Sequence, residues 1–378
     1  MPLSRLSVLI LVAATLVSCG HDAVSVGETA GDTLHLRYAE KLTMTQCEDY
    51  TVVNIVDPWH DGAVLHTYVL VDRADSARVT SLPEGTVVYT PLRRAVVSTS
   101  PHCNLLLWLG AGESVAGVCD ADYLAIPYYT ERLVDGTITP CGSAMSPDVE
   151  RLIELDADAI LLSPFENATY GGVGKTAIPI VECADYMETS ALGRAEWMRF
   201  YGRLFDKDDA ADSLFTVVES SYFRTKQLAD SCGAGLSLLT ERKTGAVWYC
   251  PGGHSSLGQL FKDAHAGYAF GSDEHSGSLA LSPEKVIADA ADSDVWMFIY
   301  NGAQPPTRRD LLAEYHGYAA LKALRTGDVY GCSASESTYF DEISFRPDLL
   351  LREITLLSHP QLMVSDTLSL RYYRRLHL

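Results

Sequence analysis

The sequence predicts an α/β fold of two βα lobes joined by a single rigid linking helix, with an antiparallel β segment in front. Three observations carry that prediction. From Ala95 onward, short apolar runs alternate with stretches of helical periodicity, the pattern of βα units that feed a parallel sheet. A half-repeat follows: Ser146-Pro147-Asp148-Val149-Glu150-Arg151-Leu152-Ile153, then Asp158-Ala159-Ile160-Leu161-Leu162, resembles Ser282-Pro283-Glu284-Lys285-Val286-Ile287, then Asp294-Val295-Trp296-Met297-Phe298. Each copy reads as a capped short helix, an acidic turn and a buried strand. Between the copies, Asp208 to Ala229 sets Ala211, Leu214, Phe215, Val218 and Tyr222 on one helical face with no glycine or proline to interrupt it.

Taken in order, Leu34 to Thr90 is mostly period-two. Thr51–Val56, Leu65–Val71 and Thr86–Tyr89 are β-rich, and Asp57-Pro58 and Leu82-Pro83-Glu84-Gly85 separate them with turn residues, so an antiparallel meander is expected. Ser100-Pro101 reads as an N-cap with proline in the first turn of a helix that Gly110 ends. Ser146-Pro147 and Ser282-Pro283 read the same way. Ser231-Cys232-Gly233 stops the long helix, and a strand at Leu236–Thr240 opens the second lobe. The expected divisions are 1–18, 19–33, 34–94, 95–207, 208–230 and 231–378.

The first two divisions come from the chain's start. Arg5, the uncharged apolar run Leu6–Val17 and Ser18-Cys19-Gly20 fit a cleaved signal with a bacterial lipobox, in which Cys19 becomes the lipidated N-terminus and residues 19–33 a tether. The run is too short for an ordinary membrane span. Nine cysteines leave eight once Cys19 carries lipid, and among Cys103, Cys119, Cys141 and Cys183 either a bridge or buried free thiols fits. A 47% hydrophobic content suffices for real cores, and the formal charge of −20 argues against nucleic acid, whose binders cluster lysine and arginine.

No hydrolase or transferase pattern is present: neither a Gly-x-Ser-x-Gly elbow, a phosphate-cradling Gly-x-x-x-x-Gly-Lys nor His-Glu-x-x-His. His254, His265 and His275 are too far apart for a local metal motif, and no resident cofactor is expected. Aromatic and polar residues do gather after predicted strands, where open α/β sheets bind ligands. These are Asp120 and Tyr123, then Phe165, Glu166 and Asn167, then Tyr186, then Trp248 and Tyr249, then Tyr300 and Asn301. Arg194, in a helix just after Tyr186, adds a cation for a carboxylate or phosphate, or else pins its own loop.

With these residues in view, the chain resembles the substrate-binding proteins of ABC importers for cobalamin and ferric siderophores, class III periplasmic-binding-protein-like. The resemblance covers about Ala95 to Arg325 and includes Val96–Pro101, Leu109–Val118, the two Ser-Pro helices and Phe261-Lys262-Asp263-Ala264. Ser163–Asn167, Cys183–Thr189, Gly193–Trp197 and Trp248-Tyr249 resemble the lipoprotein branch found in Bacteroidales. The resemblance implies a monomer, anchored by lipid in the periplasm of a Gram-negative bacterium. It implies that the protein captures an iron-siderophore, cobalamin or haem-like complex and hands it to a permease dimer driven by an ATPase. It also implies that Glu150 and Glu284 dock on the permease. The aromatic that cobalamin binders carry before the first docking helix is replaced by Cys141-Gly142-Ser143. The alternatives are a surface-exposed scavenger of metal complexes and a chelatase-like enzyme on a related two-lobed fold.

Overall fold

The computed structural model describes residues 31–79, 81–364 and 368–377; the apolar run, Cys19 and most of the expected tether lie outside the described residues. Strands β1 (Asp32–Leu34), β2 (Leu42–Gln46), β3 (Thr51–Val56) and β4 (Val64–Asp72) form an antiparallel meander. The alternation puts Leu42, Met44, Val53, Ile55, Tyr68 and Leu70 into the core. The last strand departs from expectation, because β5 (Thr86–Thr90) pairs with β4 in parallel. Residues 73–85 make a connection long enough to return the chain to the start of β4, as a parallel pair requires.

The first lobe has a five-stranded sheet, parallel throughout, in the spatial order Ile180–Glu182, Ala159–Leu162, Ala95–Val97, Val115–Val118, Thr139–Pro140. In chain order it runs β6 (Ala95–Val97), α1 (Ser100–Trp108), β7 (Val115–Val118), α2 (Pro127–Val134) and β8 (Thr139–Pro140). Next come the two-residue ladder β9 (Gly142–Ser143) with β10 (Ser146–Pro147), then α3 (Val149–Glu154), β11 (Ala159–Leu162) and β12 (Ile180–Glu182). Helices cover both faces, so β6 and β11 are buried at every residue. The chain builds outward from β6 on one side and resumes at β11 on the other, which opens a crevice at the strand ends.

Helices α4 (Ala191–Glu196) and α5 (Met198–Leu204) lead into α6 (Asp208–Cys232), whose buried stripe is Ala211, Phe215, Val218, Tyr222 and Ala229. The second lobe follows as β13 (Ser237–Thr240), β14 (Lys243–Thr244), β15 (Val247–Pro251), α7 (Ser256–Asp263), β16 (Gly267–Tyr268), β17 (Ser278–Leu281), α8 (Pro283–Ala290) and β18 (Val295–Tyr300). It continues with α9 (Arg308–Glu314), α10 (Lys322–Thr326), β19 (Val329–Ser333), α11 (Tyr339–Glu342), α12 (Pro347–Ser358) and β20 (Arg374–Arg375). Its main sheet is ordered β16-β13-β18-β19-β20, parallel except for the edge strand β20, and β14, β15 and β17 form a small antiparallel sheet.

The junction between the lobes is wider than α6. Helix α11 packs on α1 of the first lobe, and α12 packs on α6, α7 and α4 together. Phe345, between α11 and α12, meets the rings of His102 and Tyr201 edge-on. Close packing of this kind opposes large relative movement.

Both ends of the described chain are held by buried carboxylates. Glu196, fully buried, accepts from the backbone N–H groups of Arg37, Tyr38 and Ala39 at 3.0, 2.7 and 3.0 Å. Glu188 accepts from those of Glu40 and Lys41 and from the Trp197 indole. Arg37 and Tyr38 also donate to Glu219 on α6. At the other end, Glu353 on α12 accepts from the N–H groups of Arg371, Tyr372 and Tyr373. We expect Glu196→Leu to lower stability by about 2–4 kcal/mol, since three backbone donors lose their acceptor. Urea unfolding measures this, and a loss below 1 kcal/mol would mean that water replaces the carboxylate.

Candidate functional site

Two adjoining cavities of about 280 Å³ each lie beyond the C-terminal ends of β6, β7 and β11, sharing Ser98, Thr99 and Ala144. One continues to Pro101, Cys119, Asp120 and Tyr123, the other to Met145, Phe165 and Tyr170. Asp120 holds a left-handed backbone at φ 48°. Its N–H donates to the Gly142 carbonyl at 2.8 Å and its Oδ2 accepts from the Ala144 N–H at 3.1 Å. These bonds fix the loop that carries Met145. Tyr123, Met145 and Phe165 expose 86, 75 and 45% of their surface, so the rim of this crevice is apolar and aromatic.

In the second lobe a cavity of about 760 Å³ opens at the ends of β18 and β19, against Tyr300, Ser333, Glu336 and Arg374. Arg371 in its wall is paired with Glu342, and Arg375 with Asp328. Asn301 is exposed beside Tyr300 without lining the cavity, as are Glu166 and Asn167 beside Phe165.

The expected ligand contact at Trp248 is corrected. Trp248 is fully buried, donating from Nε1 to the Thr240 carbonyl at 2.9 Å and packing on Trp296 and Tyr318. Tyr249 is half exposed, because neighbours on β15 face opposite sides and Trp248 and Tyr249 cannot share one surface. Arg194 turns to Asp185, with Nε 3.0 Å from Oδ2. Tyr186, which ties its loop to the Pro164 carbonyl, lines neither first-lobe cavity. The Gly252-Gly253 turn serves internal packing, since a Cβ at Gly252 would stand 2.2 Å from the carbonyl oxygen of His275.

Under the crevice floor lies a buried polar cluster. Asp185 is wholly enclosed, and its Oδ1 accepts from His102 Nε2 and from the Tyr201 hydroxyl, each at 2.8 Å. Burial raises the pKa of Asp185, but the charges of His102 and Arg194 and the Tyr201 bond outweigh it and hold the group down at about 2. Burial works against the charge on His102, and the neighbouring Cys183 and Asp185 outweigh it, raising His102 to about 10. Thr99, at the N-cap of α1 in place of the expected Ser100, caps no backbone group; its Oγ1 lies 2.5 Å from His102 Nδ1. Forgoing the cap costs about 1 kcal/mol.

Helix α3 begins two residues later than its Ser-Pro signal implies. Ser146-Pro147 is extended in β10, and Asp148 is the cap, accepting from the N–H groups of Glu150 and Arg151. In α8, Ser282 is the cap and Pro283 the first residue. Counted from their caps, Glu150 and Glu284 both fall at the second helical position, and both are exposed.

Among the described residues the eight cysteines are free thiols, seven of them buried, and no group of three His, Cys, Asp or Glu side chains is placed to hold a metal ion. No described helix is long and apolar enough to cross a membrane. Sequence reasoning missed Ser98, Thr99, Ala144 and Met145 in the first lobe, although the position of Ser98 and Thr99 just after β6 was a usable signal. It had none for Arg371 and Arg374.

A family model described as "Periplasmic binding protein" matches residues 95–336. An uncharacterized lipoprotein of Methanocaldococcus jannaschii is 22% identical over 286 residues, 73% of this chain and 67% of that one. The petrobactin-binding protein YclQ of Bacillus subtilis is 30% identical over 149 residues, 39% of this chain and 45% of that one. Among solved structures, an ABC-type Fe3+-hydroxamate transport protein of Saccharomonospora viridis superposes with a TM-score of 0.55 at 19% identity, covering 71% of this chain and 93% of that chain.

Proposed function

The chain belongs to the periplasmic binding protein family, and from that premise we propose that it is the substrate-binding lipoprotein of an ABC importer. Its cargo on this reading is an iron-siderophore, cobalamin or haem-like metal complex, bound between the lobes and delivered to an inner-membrane permease without chemical change. The observation that carries the reading is the crevice beyond β6, β7 and β11, with its apolar rim of Tyr123, Met145 and Phe165 around a polar floor. A large complex with apolar flanks and oxygen-rich ligation suits such a surface. The names of the Bacillus and Saccharomonospora relatives favour the ferric-siderophore end of this range.

Asp120, Tyr123 and Phe165 contact cargo from the first lobe, and Tyr300 from the second. Glu150 and Glu284, exposed at matching helix positions, dock on basic pockets of the permease. Cys19 carries the lipid in a Gram-negative membrane, and the chain acts as a monomer of the Bacteroidales lipoprotein branch. Binding of the full chain to cobalamin, haem and a set of ferric siderophores tests the reading. We expect one class to bind with a Kd of about 1 μM or tighter, and Tyr123→Ala with Phe165→Ala to weaken it by about tenfold or more. Failure of every class, or an unchanged affinity in the double variant, would remove the crevice as the cargo site.

A further inference from the structure

Thr99 sits on the floor shared by the two first-lobe cavities. Its hydroxyl makes no backbone cap and is instead held by the ring of His102, itself almost fully buried. The protons of this cluster can be assigned from its acceptors. An ionised carboxylate only accepts, so Asp185 Oδ1 takes a proton-bearing Nε2 from His102 and the hydroxyl proton of Tyr201. The state of His102 Nδ1 then decides what Thr99 offers. With Nδ1 bare, the Thr99 proton points down into the ring. With Nδ1 protonated, Thr99 must accept from the ring, and its own proton is left for the cavity.

Charge selects the second arrangement. The segment from Glu182 to Glu196 buries four carboxylates, Glu182, Asp185, Glu188 and Glu196, and its one basic side chain is Arg194. The groups facing His102 are Asp185 and Cys183 after β12, Tyr201 on α5, Thr99 and the edge of Phe345, none of them cationic. Arg194 stands on the far oxygen of Asp185. The imidazolium is the favoured state there, in keeping with the upward shift of His102.

We propose that Thr99 is a cargo-contacting residue whose hydroxyl is locked by His102 as a hydrogen-bond donor toward the cavity, selecting complexes that present an unprotonated oxygen such as a hydroxamate, carboxylate or carbonyl. The proposal rests on the reading of these cavities as the cargo site. Its polarity is tested without cargo by 15N NMR of the histidine-labelled full chain. Both ring nitrogens of His102 should carry protons at neutral pH, and a bare Nδ1 there overturns the proposal whatever binds.

The contact is tested with ferric citrate and the ferric complex of desferrioxamine as probes. Thr99→Val should weaken binding of the probe that the wild type takes by about tenfold, with Thr99→Ser restoring it. Wild-type affinity should fall as alkaline pH strips His102 Nδ1, while that of Thr99→Val stays flat. Equal affinity in Thr99→Val overturns the contact and leaves the transport reading intact. A wild type that binds neither these probes nor cobalamin or haem, with His102 doubly protonated, removes the transport reading and the cargo contact with it while the assigned polarity stands.

Discussion

Replacing both Glu150 and Glu284 with alanine is expected to abolish uptake while cargo affinity stays unchanged. Each side chain is exposed at the second position of its helix, and neither lines a cavity of either lobe. A charge pair lost at a desolvated interface costs about 2 kcal/mol or more, so two lost pairs weaken docking on the order of a thousandfold. Uptake of labelled cargo by cells carrying the double variant, with binding to the purified variant measured beside it, separates docking from capture. Undiminished uptake would show that the glutamates only serve their helix termini, where the macrodipole favours an acidic side chain by about 0.3–1 kcal/mol. It would turn attention to a surface scavenger that needs no permease.

The second large effect lies at Asp185. Asp185→Asn keeps the shape but strips the charge that His102 and Arg194 share, and the fold is expected to lose about 3–5 kcal/mol. The pH dependence has a definite sign. Asp185 is held below its ordinary value, so its contribution is complete above the ordinary carboxylate range and is lost as pH falls toward about 2. His102 is raised, so its contribution is complete below about 6.5 and is lost as pH climbs through about 10. Urea midpoints of wild type should therefore fall at both extremes, and those of Asp185→Asn should be lower at neutral pH and flatter toward acid. A variant within 1 kcal/mol of wild type would mean that the cluster is held by packing alone.

The sequence carried the βα succession and the long α6 because both are written in local periodicity: Ala159–Leu162 is apolar at every residue, and the α6 stripe recurs without interruption. The parallel pairing of β5 was not legible, since strand direction depends on where a connection crosses rather than on the strand's own residues. The start of α3 failed for a related reason. Ser146-Pro147 carries a cap signal, yet its pairing with Gly142-Ser143 keeps it extended and passes the cap to Asp148. In the crevice, Asp120, Tyr123 and Phe165 were legible because they follow strands directly. Trp248 was misread because an aromatic after a strand looks the same in sequence whether it faces a cleft or a buried partner, and for Arg194 the sequence left a ligand contact and a loop pin equally open. Only the third dimension supplies Thr240, Trp296 and Asp185 as those partners.

If the chain is tethered through Cys19 as proposed, the strap at residues 37–41 determines where force enters the molecule. Its five N–H groups are clamped by Glu196 and Glu188, and its side chains reach Glu219 on α6, so tension arriving from residue 31 passes into α4 and α6. Those helices pack with α12 at the junction common to both lobes. A leash fastened to the outer end of one lobe would tug that lobe open as a lever each time the membrane moved. The proposed tether, entering near the junction of the lobes, would have almost no lever arm, and the proposed grip on cargo would be insulated from the drag on it.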